Sequence, residues 1–317
     1  GDLAAYRAKE RAPICAPYRA WRVCGMGPPS SGGLTIGEIL GTLEPYDLAA
    51  LGPRDPAAWR LIANASQLAF ADRERYMADS DFVPMPTAGL LDRGYLKGRA
   101  ALLKTDRALQ DVQPGHPQWS HAENYGDGDA LELPSTSHFS IVDAAGNVVS
   151  VTSSIESAFG ARIMVDGFLL NNELTDFSFE SHDAAGRPIA NRVEPGKRPR
   201  SSMSPTFVLN KDRELVVAVG SAGGQRIIGD TLQALIGMLD WNLSAQAALD
   251  LPRVLNMNGP TELEDKGDLP AQAERLRALG HEVQVRRHEG GLTAIRREGD
   301  GWGGGADPRR NGVAKAD

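Results

Sequence analysis

The chain has 317 residues, is 41% hydrophobic and 24% charged, and carries a formal net charge of −7. That balance fits a folded globular protein and works against a nucleic-acid binder, which needs a basic surface to displace counterions from phosphates. No apolar run reaches the ~18 residues that read as a membrane span, and no secretory leader is visible at the start, where Gly1-Asp2-Leu3 reads as the middle of a helix or loop and so suggests truncation.

Cys15 and Cys24, the two cysteines, flank Tyr18-Arg19-Ala20 in a segment that alternates as a β-hairpin would. Facing each other across two strands they would form a disulfide and indicate an oxidising compartment; the other reading is two reduced, half-buried thiols. Pro28-Pro29-Ser30-Ser31-Gly32-Gly33 is a turn-rich loop. Residues 34–43 and 57–77 carry helical apolar spacing, the second with Trp59, Leu61, Ile62, Leu68 and Phe70. From about residue 113 to Ser135 the chain turns polar and rich in Pro, Gly and Asp, which is linker chemistry.

The composition changes after Ser135. Residues 138–143 and 148–153 alternate around the turn Ala144-Ala145-Gly146-Asn147, which predicts a hairpin. Residues 167–170 read as a buried strand, and 206–209 with 215–219 as a second hairpin. Asp230 opens a helix with Leu232, Leu235, Ile236 and Leu239 on one face. Ser244 is a good N-cap for a short helix to Leu249. Residues 269–279 form a helix closed by Gly280, 281–285 a strand, and Gly303-Gly304-Gly305 a late loop. Strand pairs among packed helices predict a layered α/β or α+β domain with antiparallel sheets. A polar connector of about 23 residues is long for such a domain and is functional or disordered; a cut there would remove little packing.

Four clusters carry candidate chemistry. Thr136-Ser137-His138-Phe139-Ser140 places a hydroxyl at the start of a strand, directly after the connector. A threonine hydroxyl needs an adjacent base. Cutting the Ser135–Thr136 bond would supply one, because an α-amine titrates near ~7.7–8.0. A structural threonine is the plainer reading of this string alone. Ser201-Ser202 follows a basic run, and paired hydroxyls can bind a carboxylate or cap a turn. Gly220-Ser221-Ala222-Gly223-Gly224 lets backbone amides approach an oxyanion, or forms a tight turn. A phosphate loop is excluded there, because Asp230 stands where the phosphate-binding lysine should be. Glu173 and Asp176, with Glu156, could surround an amine or lie in a solvated turn. The six histidines show no ligand spacing, so neither a metal nor a cofactor is expected. No G-x-S-x-G elbow is present.

In this order the clusters resemble the γ-glutamyltranspeptidase family of N-terminal-nucleophile hydrolases. The resemblance rests on Thr136 to Ser140, Gly167 to Phe177, Pro195 to Thr206 and Gly220 to Gly224, with Pro28 to Gly33 and Ala71-Asp72-Arg73 upstream. It implies an α+β fold, a four-layer αββα sandwich with antiparallel central sheets. It also implies a precursor that cuts itself before Thr136. Residues 1–135 would then be the C-terminal part of a large subunit ending in a flexible linker, and 136–317 the small catalytic subunit of a heterodimer. By resemblance Thr136 is the nucleophile and Ser154, usually threonine in the family, supports it. Glu156, Glu173 and Asp176 hold the α-amine of a γ-glutamyl group, Ser201 and Ser202 its α-carboxylate, and Gly223 and Gly224 form the oxyanion hole. The substrate would be glutathione or another γ-glutamyl compound, with water, an amino acid or a peptide as acceptor. The compartment would be periplasmic or secreted.

Two departures matter. The family's large subunit contributes an arginine that pairs with the substrate α-carboxylate; the resemblance places it outside these residues, so a chain limited to them is expected to be incomplete. Residues 181–193, which replace an aromatic lid, contain no tyrosine, which predicts a more open site. Two alternatives stand beside the γ-glutamyl reading. One is a glutaryl- or cephalosporin-type acylase of the same family. The other is an uncleaved, non-catalytic scaffold, since a fold does not fix a function.

Overall fold

A computed structural model describes residues 2–316 except 122, 123, 131 and 134. After a short helix α1 (Asp2–Ala5), strands β1 (Ile14–Tyr18) and β2 (Trp21–Gly25) form the expected hairpin. Its register sets Cys15 opposite Cys24, and the two are joined in a disulfide. Helix α2 (Gly32–Leu43) follows, then α3 (Leu48–Leu51) and the long α4 (Pro56–Tyr76). Helix α4 starts where its sequence says it should: Asp55 accepts the Ala57 N–H at 2.8 Å and Pro56 occupies the first turn, where no amide donor is missed. Helices α5 (Thr87–Leu90) and α6 (Arg93–Leu102) precede the connector; Asp92 caps α6 through the amides of Gly94 and Tyr95.

The connector, expected as a polar linker that is functional or disordered, packs in part. Its described residues lie against the body. Tyr125 and Ala130 are buried, the Gly115 amide donates to Asp72 at 2.6 Å, and the Gly126 amide donates to Pro188 at 3.0 Å. Despite the low apolar content, these backbone groups find partners elsewhere in the chain.

Strands β3 (Thr136–Val142) and β4 (Val148–Ser154) then pair as one antiparallel hairpin. The ribbon β5 (Met164–Val165) and β6 (Phe168–Leu169) is short, and Phe168 is half exposed, so residues 167–170 are not the buried strand expected. A single 3-10 turn spans Glu173–Asp176. Strands β7 (Thr206–Leu209) and β8 (Leu215–Gly220) lead into α7 (Arg226–Leu239), which begins ahead of Asp230 because the turn at Gly223 and Gly224 already reverses the chain. Next come α8 (Ala245–Asp250), capped by Ser244, then β9 (Val254–Leu255), β10 (Thr261–Glu264), α9 (Leu269–Ala278) and β11 (Val283–Arg286).

Strands β12 (Thr293–Glu298) and β13 (Gly301–Ala306) close the fold. The glycine run 303–305 is therefore an edge strand rather than a loop. Glycine suits it, since a Cβ on Gly305 would lie 2.8 Å from the Ala245 backbone of α8.

The central sheet has the order β1-β2-β7-β8-β12-β13 and is antiparallel at every step. Its helical face packs Val208, Val217 and Val219 against Ile39 and Leu43 of α2, Trp59 and Ile62 of α4, and Leu232 and Leu235 of α7. The opposite face receives the β3–β4 hairpin, close enough that a Cβ on Gly220 would overlap the His138 ring. The fold is thus α+β with antiparallel central sheets. Among the described residues the layers run helices, sheet, sheet, and Phe139, Ile141 and Val149 stay about half exposed on the outer face of the hairpin. None of the described helices is long and apolar enough to cross a membrane.

Candidate active site

The register of the hairpin builds the centre of the site. Thr136 opens β3 directly opposite Ser154, the last residue of β4. The Thr136 hydroxyl donates to Ser154 Oγ at 3.3 Å, and Ser154 Oγ accepts the Glu156 N–H at 2.9 Å. Thr136 is 4% exposed, and its carbonyl accepts from Arg310 Nη1 at 2.8 Å. The Ser135 N–H, just ahead of it, donates to the Glu156 carbonyl at 3.1 Å.

One wall is acidic. Glu156 is buried in a left-handed conformation (φ 71°), which a side chain with Cβ adopts only where its surroundings compensate the strain. Its carboxylate accepts from Asn172 Nδ2 at 2.6 Å and from the Leu133 N–H at 2.9 Å. The 3-10 turn brings Glu173 and Asp176 to the same wall. Burial raises the Glu173 pKa, aided by the negative charges of Glu156 and Glu132. Asp176 is pushed up to about 9, by burial first and then by Glu132, Glu173 and Glu156. Glu173 Oε1 and Asp176 Oδ1 are buried and have no hydrogen-bond partner among the described residues.

The facing wall is basic and hydroxylic. Arg73, in the last turn of α4, donates from Nη2 to Ser202 Oγ at 2.7 Å and from Nε to Ser31 Oγ at 2.9 Å. Arg200 is fully buried behind it and donates to the Arg73 carbonyl at 3.1 Å. Both guanidiniums face the Glu132 carboxylate, Arg73 at 2.5 Å and Arg200 at 3.8 Å, and Ser202 Oγ donates to the same carboxylate. The two serines do not act alike. The Ser201 hydroxyl accepts the Met203 amide at 3.2 Å and so belongs to its own turn, while its carbonyl takes the Ser31 N–H and hydroxyl.

The floor is the turn after β8. Gly223 and Gly224 have φ of 142° and 62°, which glycine adopts without Cβ strain. Thr136, Ser154, Glu156, Glu173, Asp176, Ser201, Ser202 and Gly224 all line one cavity, with Glu132 and Leu133 filling it from the connector side. Its free volume is about 20 Å³, room for roughly one water. None of residues 181–193, where the family's aromatic lid is replaced, lines this cavity.

Eight of the nine expected catalytic and binding residues therefore meet at one cavity, and Gly223 adjoins it. Sequence reading missed Glu132, Arg73, Arg200 and Arg310. Arg73 was legible only as part of Ala71-Asp72-Arg73, a string without an assigned role. Nothing in the local sequence marks Glu132 or Arg310.

The family model for γ-glutamyltranspeptidase matches residues 1–317. The chain belongs to this family. The glutathione hydrolase proenzyme of Escherichia coli (strain K12) is 37% identical over 319 residues, covering 97% of this chain and 53% of the relative. The glutathione hydrolase proenzyme of Bacillus subtilis (strain 168) is 35% identical, covering 99% of this chain and 54% of the relative. The acylase ACY 1 proenzyme of Pseudomonas sp. (strain SE83) is 37% identical, covering 95% of this chain and 50% of the relative. A cephalosporin acylase structure from Bacillus halodurans aligns with a TM-score of 0.83 at 27% identity, over 98% of this chain and 54% of that one. The chain spans about half the length of the curated relatives it matches.

Proposed function

We propose that this chain carries the acyl-transfer machinery of a γ-glutamyl hydrolase and transferase, with Thr136 as nucleophile once the Ser135–Thr136 bond is cut. The observation that carries the reading is the opposition of the two walls across Thr136. A γ-glutamyl group presents a carboxylate and an ammonium on one carbon. The Arg73–Ser202 wall suits the carboxylate. The Glu156, Glu173 and Asp176 wall suits the ammonium, which would donate to the two unpartnered oxygens on Glu173 and Asp176.

The chemistry follows from the residues present. The new α-amine of Thr136 takes the proton of its own hydroxyl, with Ser154 holding the hydroxyl in place. Thr136 Oγ1 bonds to the γ-amide carbon, and the carbonyl electrons move onto oxygen. Amides of the Gly223–Gly224 turn stabilise that oxyanion; losing one such donor typically costs ~10²–10³ in rate. The C–N bond then breaks, and the amine hands its proton to the departing nitrogen. A γ-glutamyl ester remains on Thr136. Water or an acceptor amine attacks it by the reverse proton path, which gives ping-pong kinetics. Residues 1–135 would belong to the large subunit and 136–317 form the small one, the two remaining together as a heterodimer. The Cys15–Cys24 disulfide supports a periplasmic or secreted location.

The acylase relatives favour a second reading, in which the acyl group is glutaryl. A glutaryl group keeps the carboxylate but has no amine, so it would leave Glu156, Glu173 and Asp176 without a cationic partner. Two measurements decide. Intact mass of the protein purified from its source should show a species of roughly 19–20 kDa, scaled by residue count, beginning Thr-Ser-His-Phe. Its kcat/KM should favour γ-glutamyl over glutaryl anilides. A glutaryl preference transfers the assignment to the acylase, and unimpaired turnover by Thr136→Ala removes the mechanism altogether.

A further inference from the structure

Glu132 and Leu133 sit in the site as an amino-acid-like ligand would. The Glu132 side chain is 3% exposed, and its carboxylate meets Arg73 at 2.5 Å, Arg200 at 3.8 Å and the Ser202 hydroxyl. The next backbone amide, on Leu133, donates to the Glu156 carboxylate at 2.9 Å. A carboxylate on the basic wall and an N–H on the acidic wall are the two contacts that a γ-glutamyl group would make. The Glu132 carbonyl also covers the glycine turn, where a Cβ on Gly224 would lie only 2.6 Å from it. About 20 Å³ of free space remains, so no amino-acid-sized ligand fits beside this segment.

We infer that Glu132 is a built-in stand-in for the substrate carboxylate and that it keeps the acyl site filled until the chain is cut. The inference rests on the γ-glutamyl reading for the identity of the ligand, but not for the occupancy of the seat. Both walls support it. Two buried guanidiniums facing one another would repel without a carboxylate between them, and the connector supplies one. The charge of Glu132 also reaches the acidic wall, where it is among those that raise the Asp176 pKa. Glu132 lies just before Ser135 in the sequence, so the same cut that would free the Thr136 amine frees the segment that carries the stand-in.

The test uses the uncut protein held by Thr136→Ala, titrated with L-glutamate and separately with glutarate. The parent Thr136→Ala chain should bind neither. Adding Glu132→Ala should open the seat and tighten L-glutamate binding at least about tenfold, the scale of a charge-assisted hydrogen-bond set. Glu132→Gln, which keeps shape and loses charge, should fall between. If the parent binds L-glutamate as tightly as the double variant, or if neither double variant binds either ligand, the stand-in is refuted. If the double variants bind glutarate but not L-glutamate, the stand-in holds and the γ-glutamyl reading fails.

Discussion

Replacing Asp176 by Asn should stabilise the uncut chain while damaging the enzyme, and the size of the effect follows from the site. Asp176 is 7% exposed, and its pKa is pushed up to about 9 by burial and by Glu132, Glu173 and Glu156. An unfolded aspartate titrates near ~3.9. Between about pH 4 and about pH 9 the folded chain therefore holds a proton that the unfolded chain has released, and stability falls as pH rises through that window. Holding the proton at about pH 7.5 costs at most about 5 kcal/mol, at ~1.36 kcal/mol for each unit of separation. Solvent at the cavity mouth screens part of this, leaving about 1–3 kcal/mol. An asparagine needs no proton and can donate to Glu173. Urea denaturation of Thr136→Ala with and without Asp176→Asn, at several values between about pH 5 and about pH 9, reads the difference. The gain should grow with pH and vanish near about pH 4. The cut enzyme with Asp176→Asn should lose about 10- to 100-fold in kcat/KM for γ-glutamyl substrates, having lost one ionic partner of the ammonium. A variant no more stable than its parent at about pH 8, or a parent whose stability ignores pH over this range, would refute the reasoning.

Three further outcomes are expected. Replacing Cys15 and Cys24 by serine opens a covalent loop with a sequence separation of 9 and should lower stability by about 2–3 kcal/mol, seen as a lower urea midpoint. Burial pushes the His138 imidazole down to about 4, so stability should be full above about pH 6.5 and fall as pH drops toward about 4; His138→Gln should flatten that acid limb in a thermal-melt series. Gly305→Val should cost about 1–3 kcal/mol in denaturant titration, because its side chain meets the α8 backbone at 2.8 Å.

Much of the frame was legible because it is local. The hairpin around Arg19, helices α2 and α4, and the β3–β4 pair each follow from spacing, caps and turn residues within one segment. The misreadings share one cause. Residues 303–305 became a strand because β12 supplied a ladder and α8 needed a close approach, and neither is visible in three glycines. Strand β12 itself, Thr-Ala-Ile-Arg-Arg-Glu, gives no clear alternation, yet it lies between β8 and β13 in the central sheet. The connector's polar composition likewise hides that Gly126 and Gly128 donate to the distant backbone of Pro188 and Glu74.

The site divides in the same way. Thr136, Ser154, Glu156, Glu173, Asp176, Ser202 and Gly224 were singled out by the family resemblance and line one cavity, and the hairpin register alone sets Thr136 against Ser154. What fills the site is decided by contacts across 59 and 70 residues, from Glu132 to Arg73 and to Ser202. Sequence by itself determined the hairpin that opens at Thr136, the turn that carries Glu173 and Asp176, and the glycine turn, since each is a short segment whose own hydrogen bonds fix its shape. Only the tertiary structure decided that a carboxylate of the connector occupies the basic wall, because charge pairing over that distance depends on how α4 and the Ser202 turn pack together.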